Sequence, residues 1–231
     1  MKIGGWQRFS LLDYPGRLSA VIFTQGCNFR CPYCHNPELV IPERFQELQP
    51  EEDVLAWLKK RLNRLDGVVI TGGEPTLQPD LAQFLKKIKK LGFLVKIDTN
   101  GSHPEALAWL LKKSLVDYWA MDIKAPQEKY SAIAQTEIDF GLIQQSIDLI
   151  MNSGQAYEFR TTVVRNQLGQ EDIMEIGQMI KGAERYVLQP FVSAGKTVDP
   201  KLLSAQSYSQ EEMRSWAQEL EANFVKRCLV R

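Results

Sequence analysis

At 231 residues and 44% hydrophobic, the chain can bury a full core, and its length suits one α/β domain. Lys plus Arg equals Asp plus Glu at 28 each, so no net charge points to nucleic acid or an anionic membrane surface as the main partner. No apolar run follows a basic N-terminus, and no stretch approaches the roughly twenty apolar residues of a membrane span, so a cytoplasmic protein is expected.

Short β-branched runs alternate with helical patterns. Strands are expected over 18–24, 67–71, 93–99, 118–123, 157–164 and 185–191. Helices are expected over 51–64 after Pro50, over 79–90 up to Gly92, over 104–113, over 139–152 up to Gly154, and over 170–181 up to Gly182. A last helix is expected over 209–226, with 193–208 an irregular surface stretch. Strict alternation implies parallel strands with right-handed crossovers, and six such units predict an α/β partial (β/α)6 barrel. One domain is expected over 1–231, with its core at about 15–195 and a helical tail at about 205–231.

The unusual residues fall at the strand ends. Three of the four cysteines, Cys27, Cys31 and Cys34, form a C-x3-C-x2-C loop after the first expected strand, while Cys228 lies far away. In a reducing cytosol this reads as metal binding rather than a disulfide framework. An iron-sulfur cube usually takes four thiolates, so three clustered ones leave one iron open for chemistry. The second strand runs into Thr71, Gly72, Gly73, Glu74 and Pro75, and the third ends in Asp98, Thr99, Asn100 and Gly101. The fourth ends in Asp122, Ile123 and Lys124, the fifth carries Arg160, and the sixth ends near Gln189. In parallel α/β folds the loops beyond the carboxyl ends of the strands build the ligand site, so most of these signals converge on one rim.

The cysteine loop followed by Gly-Gly-Glu-Pro resembles the radical S-adenosylmethionine enzymes. With the segments 10–16, 23–38 and 121–126, the chain is similar more narrowly to the anaerobic ribonucleoside-triphosphate reductase activating proteins, over about residues 4–195. Pyruvate formate-lyase activating enzymes look like more distant relatives. The resemblance implies that Cys27, Cys31 and Cys34 hold a [4Fe-4S] cluster whose fourth iron takes the amino and carboxylate groups of S-adenosylmethionine. Reductive cleavage would then yield methionine and a 5′-deoxyadenosyl radical, which abstracts hydrogen from a glycine of the reductase. It further implies that Gly72, Gly73 and Glu74 border the ligand's amino group and that Tyr33 lies near the adenine. Asp122 with Lys124 would contact S-adenosylmethionine, and Asp98 or Asn100 would offer partners for its polar groups. Arg160 could hold the carboxylate instead, and Gln189 stands where the pyruvate formate-lyase activators carry a histidine, which argues against that target. With four cysteines there are no ligands for further ferredoxin-type clusters, so flavodoxin or ferredoxin is expected to deliver the electron.

Blander readings stand beside these. The thiols with His35 could hold zinc, although adjacent ligands at Cys34 and His35 are awkward for a tetrahedral site. Gly72 to Pro75 could be an ordinary turn, Asp98 and Asp122 could be caps, and Arg160 could pair with Glu158 on the same strand face. His103 reads as a surface residue, Cys228 as a bystander, and the lysines of 86–90 as a solvated helix face. Two other functions fit the motifs: a radical enzyme acting on a small molecule, like 7-carboxy-7-deazaguanine synthase, or a non-enzymatic iron-sulfur electron carrier.

Overall fold

The structure is a computed structural model, which describes residues 1–193 and 195–231. Its strands are β1 (Ile3–Ser10), β2 (Ser19–Thr24), β3 (Gly67–Gly72), β4 (Leu94–Thr99), β5 (Tyr118–Asp122), β6 (Ala156–Val163), β7 (Tyr186–Pro190) and β8 (Cys228–Val230). Among the described residues they form one sheet in sequence order, with every neighbouring pair from β2 to β8 parallel and β1 antiparallel to β2. The helices are α1 (Pro37–Val40), α2 (Glu51–Lys59), α3 (Leu81–Lys90), α4 (Pro104–Lys112), α5 (Gln127–Ala134), α6 (Phe140–Met151), α7 (Gln170–Met179) and α8 (Gln210–Asn223). This is the expected α/β partial barrel, extended at both sheet edges.

The edges and the tail depart from expectation. β1 has no apolar alternation, because Gly4, Gly5, Gln7 and Arg8 dilute it, and it is held by pairing with β2. The expected helical tail ends instead in β8, three residues beside β7, with Cys228 buried. The helix expected over 51–64 stops at Lys59, and α5 follows Pro126 without a strong sequence signal. The irregular stretch expected over 193–208 contains a 3-10 turn at Pro200–Ser204, and Ala194 within it lies outside the described residues.

Parallel strands covered on both faces are apolar at successive positions. Ala20, Val21 and Ile22 are all fully buried, as are Val68, Val69 and Ile70. Ile22 and Ile70 join the main core beneath the helices, whereas Val21 and Val69 join a smaller cluster with Tyr14 and Tyr118 inside the sheet's curve. The outer layer is amphipathic: α3 buries Leu81, Phe84, Leu85 and Ile88 and leaves its lysines outward. The inner layer becomes charged toward β4 and β6, where Lys96, Asp98, Glu158 and Arg160 occur.

At the end away from the strand carboxyl termini, Tyr14 packs on Tyr118, with ring centroids 5.7 Å apart, and closes the floor. Glu158, fully buried, is the floor's anion. Its carboxylate accepts from both arms of Arg231 at 3.1 and 2.7 Å and from the Tyr118 hydroxyl at 3.2 Å. The pairing of Glu158 with Arg160 does not form, since the two side chains serve opposite ends of the barrel. No helix among the described residues is long and apolar enough to cross a membrane.

Candidate active site

The cysteine loop between β2 and α1 is shaped by its own backbone and by four neighbouring segments. Gly26 sits at φ +105°, a conformation that glycine adopts without steric cost. Its N–H donates to the Leu39 carbonyl and its carbonyl accepts from the Glu74 N–H, both at 2.8 Å. The Arg30 guanidinium donates to the carbonyls of Cys27 (2.7 Å) and Phe29 (2.8 Å). From the other side, the N–H groups of Val198 and Asp199 donate to the carbonyls of Cys34 and Pro32, each at 3.0 Å. His35 stacks on Phe191 at 5.4 Å, and its Nε2 donates to the Val192 carbonyl at 2.9 Å, so that nitrogen is already used.

All three loop thiols are free. Burial pushes each of them up, Cys27 to about 12 with a further contribution from Glu74. Thiols held so far above neutrality are poor nucleophiles, and a cation partner is what would make thiolates of them.

The end of β3 lies against this loop. Gly72 has φ +102°, and a Cβ on Gly73 would overlap the Gly26 carbonyl oxygen, so the close approach of the two segments requires glycine. Glu74 is a brace. Its Oε1 accepts from Thr76 N–H (3.0 Å), Thr76 Oγ1 (2.6 Å) and Thr99 Oγ1 (2.8 Å), and its Oε2 accepts from Asn100 N–H (2.7 Å). Burial raises its pKa, and these donors act in the opposite direction. Asn100 in turn points its amide at Cys27 Sγ (3.9 Å) and at Asn28 Oδ1 (3.0 Å).

A ladder of alternating charges crosses the strand ends. Arg160 on β6 donates from Nε to Asp122 Oδ1 at 2.8 Å and from Nη1 to Asp98 Oδ2 at 3.1 Å. Lys124 donates to the other Asp122 oxygen at 3.1 Å, and Lys96 pairs with the other Asp98 oxygen. Burial opposes ionisation of both aspartates, yet the surrounding cations outweigh it and hold both below the usual carboxylate range, Asp122 the more strongly. Lys124 is driven well above its ordinary value by Asp122 despite burial. Three cations against two carboxylates leave the ladder with one surplus positive charge.

These elements enclose a cavity of about 220 Å³. Cys27, Cys31, Tyr33, Cys34, Gly72, Gly73, Glu74, Asp98, Asn100, Asp122 and Lys124 all line it, so eleven of the thirteen residues singled out in the sequence meet in one place. Arg160 reaches its wall only through Asp98 and Asp122. Gln189 pairs in register with Thr162 and is half-buried outside the lining. The Tyr33 hydroxyl is buried in the wall with no hydrogen-bond partner among the described residues. Sequence reasoning missed Lys96, which is 1% exposed. Its signal was a lysine two residues before Asp98 in an otherwise apolar strand, a spacing that puts both on one face.

The sequence profile of the Radical SAM superfamily matches residues 21–180, which span the cysteine loop and the ladder. The chain belongs to the radical SAM superfamily. Members of this superfamily use a [4Fe-4S] cluster and S-adenosylmethionine. A Methanocaldococcus jannaschii protein named as a glycyl-radical enzyme activating enzyme is 37% identical over 198 residues, 82% of this chain and 79% of the relative. The 7-carboxy-7-deazaguanine synthase of Thermococcus kodakarensis is 27% identical over 196 residues, 76% of this chain and 75% of the relative. Among solved structures, Streptococcus suis SuiB bound to S-adenosylmethionine superposes with a TM-score of 0.69 at 13% identity, over 91% of this chain and 51% of that one. That likeness is one of fold.

The residues of this radical SAM chain fit both groups. Three unpaired thiols share one wall, two glycine backbones lie open to a ligand beside them, and an orphaned hydroxyl and a surplus cation await polar partners. A Gly73→Ala variant tests how closely loop and strand must meet. It is expected to fold but to take up less than about half of the parent's iron on anaerobic reconstitution, because its methyl group pushes the Gly26 carbonyl, and with it Cys27, out of place. Iron and sulfide analysis reads the result.

Proposed function

We propose that this chain is the activating enzyme of an anaerobic ribonucleoside-triphosphate reductase, which installs a glycyl radical on that protein. The observation that carries the reading is the gathering of the three-thiol loop, the glycine backbone of Gly72 and Gly73, and the Asp122–Lys124 pair around one cavity. It is supported by 37% identity to a relative named as a glycyl-radical enzyme activating enzyme.

Cys27, Cys31 and Cys34 would hold three irons, leaving one open for the amino and carboxylate groups of S-adenosylmethionine. When bound, the pair of cofactors supplies one-electron cleavage of the sulfonium and an adenosyl-carbon radical able to remove a glycine hydrogen. The protein's part is placement. Gly72 and Gly73 admit the ligand backbone-close, and the Tyr33 ring and free hydroxyl face the nucleoside end. Asp98 and Asn100 offer acceptors and donors, and Asp122 fixes Lys124 as a point charge for a carboxylate. Arg160 is a positioning residue that holds both aspartates ionised and in place. Phe29 and Val40 in the wall keep part of the cavity dry. The whole chain acts as a single domain, with flavodoxin or ferredoxin as the electron source and the cytoplasm as its compartment.

The test is anaerobic reconstitution with iron and sulfide, reduction, addition of S-adenosylmethionine, and electron paramagnetic resonance with candidate glycyl-radical proteins. A glycyl doublet on the ribonucleotide reductase, and none on pyruvate formate-lyase, is expected. The likeness to 7-carboxy-7-deazaguanine synthase gives the competing outcome: turnover of a small molecule with no protein radical would replace this reading.

A further inference from the structure

The cysteine loop has a second face. On the side away from the cavity, a groove of about 290 Å³ is lined by Lys2, Gly26, Cys27, Arg30, Phe45 and Leu77, among others. Cys27 and Val40 line both the inner cavity and this groove, so the wall between them is a single layer of the loop. The groove is assembled from the start of β1, the cysteine loop, the 3-10 turn after α1 and the turn after Glu74. Its rim carries two large apolar side chains in water, Phe45 at 39% and Leu77 at 37% exposure. Its charged lining residues are Lys2 and Arg30, with no carboxylate among them, and no ion pair among the described residues uses either. Arg30 turns its guanidinium onto the Cys27 and Phe29 carbonyls, which fixes a positive charge against the loop.

The geometry points to this groove as the docking site of the electron donor, a small acidic one-electron carrier protein. This rests on the reading that the loop holds a cluster. The remaining cysteine, Cys228, lies on β8 far from the loop in the sheet, so among the described residues no second thiol cluster relays electrons internally. The electron must therefore enter from outside, and electron transfer through protein weakens steeply with distance. The cavity side belongs to S-adenosylmethionine and the target glycine, which leaves the outer face, where Cys27 itself reaches the surface. Weak redox encounters bury small areas, and surface charge steers the partner onto them. An uncompensated basic groove selects an acidic partner. In the encounter one electron leaves the carrier and enters the cluster beside Cys27; the carrier is oxidised by one electron and no atom or proton is transferred.

The experiment uses full-length, cluster-reconstituted protein and Lys2→Glu and Lys2→Glu/Phe45→Ser variants, both changed at exposed positions outside the cavity. Cluster reduction is followed spectroscopically with reduced flavodoxin in one arm, reduced ferredoxin in a second and dithionite in a third. With at least one protein carrier the double variant should be reduced about tenfold more slowly at low salt, the gap narrowing as salt rises, while dithionite reduction is unchanged. Lys2→Glu alone should show part of the same salt-dependent loss. Parent-like rates with both carriers would overturn the proposal. So would normal carrier rates with a lower glycyl-radical yield after dithionite reduction, which would make the groove a seat for the target protein. Because the readout is reduction of the cluster, it stands even where S-adenosylmethionine is not cleaved, an outcome that would count against the proposed function instead.

Discussion

Cys31→Ala is expected to abolish iron-sulfur assembly and S-adenosylmethionine cleavage together. Cys31 is 6% exposed and lines the cavity with Cys27 and Cys34. Two remaining thiolates cannot retain a cube that three are proposed to hold, so the iron and sulfide bound per chain should fall to background. The fold should persist, since the change removes one sulfur from a loop whose shape rests on backbone hydrogen bonds to Leu39, Glu74 and Val198. A thermal or denaturant unfolding curve within about 1–2 kcal/mol of the parent would separate loss of the cluster from loss of the fold. Retention of both cluster and cleavage would show that the loop is not the ligand set.

Arg160→Met should have the largest effect on stability, about 2–4 kcal/mol in denaturant unfolding, because it removes the guanidinium that two buried carboxylates share and leaves each with a single lysine. Asp98 keeps Lys96 and Asp122 keeps Lys124, so the variant is expected to fold, yet with both aspartates less acidic than in the parent. Arg160→Lys should recover only part of the loss, since an ammonium cannot reach Asp122 from Nε and Asp98 from Nη1 at once. The pH dependence has a definite sign. A carboxylate whose folded pKa is depressed contributes stability that is complete above its unfolded value, about 3.9. That contribution is lost as pH falls from there toward the depressed folded values. Parent and variant should therefore differ most at neutral pH and converge as the solution is acidified below about 4. A constant difference across that range would mean that packing, not charge, holds the ladder together.

Much of the architecture was readable because the parallel strands are apolar at consecutive positions and end in glycine or acidic residues. The β3 run Val68, Val69 and Ile70 followed by Gly72 and Gly73 is one example, and the β5 run closing on Asp122 is another. Edge strands gave weaker signals. Five of the eight residues of β1 are glycine or polar, and β8 is three residues long, so pairing with a neighbour, not local preference, makes each of them a strand. The cavity's walls were legible where chemistry demands rare residues in fixed spacing, as at Cys27, Cys31 and Cys34. Partners distant in sequence were not. Nothing near Glu158 announces Arg231, seventy-three positions away, and nothing near Asp98 announces Arg160, sixty-two away. The role of Glu74 likewise emerges only when strands stand side by side. Glu74 reads as part of a ligand turn, whereas its carboxylate ties Thr76, Thr99 and Asn100 together.

Anaerobic reconstitution followed by reduction and quantification of 5′-deoxyadenosine, with metal analysis of the same sample, tests the central claim most directly. An incompletely ligated iron-sulfur cube on Cys27, Cys31 and Cys34 predicts iron and sulfide in equal amounts, one cube per chain, and 5′-deoxyadenosine formed only with reductant and S-adenosylmethionine present. A sample that binds zinc instead, or that holds a cube yet leaves S-adenosylmethionine intact under reduction, would contradict it.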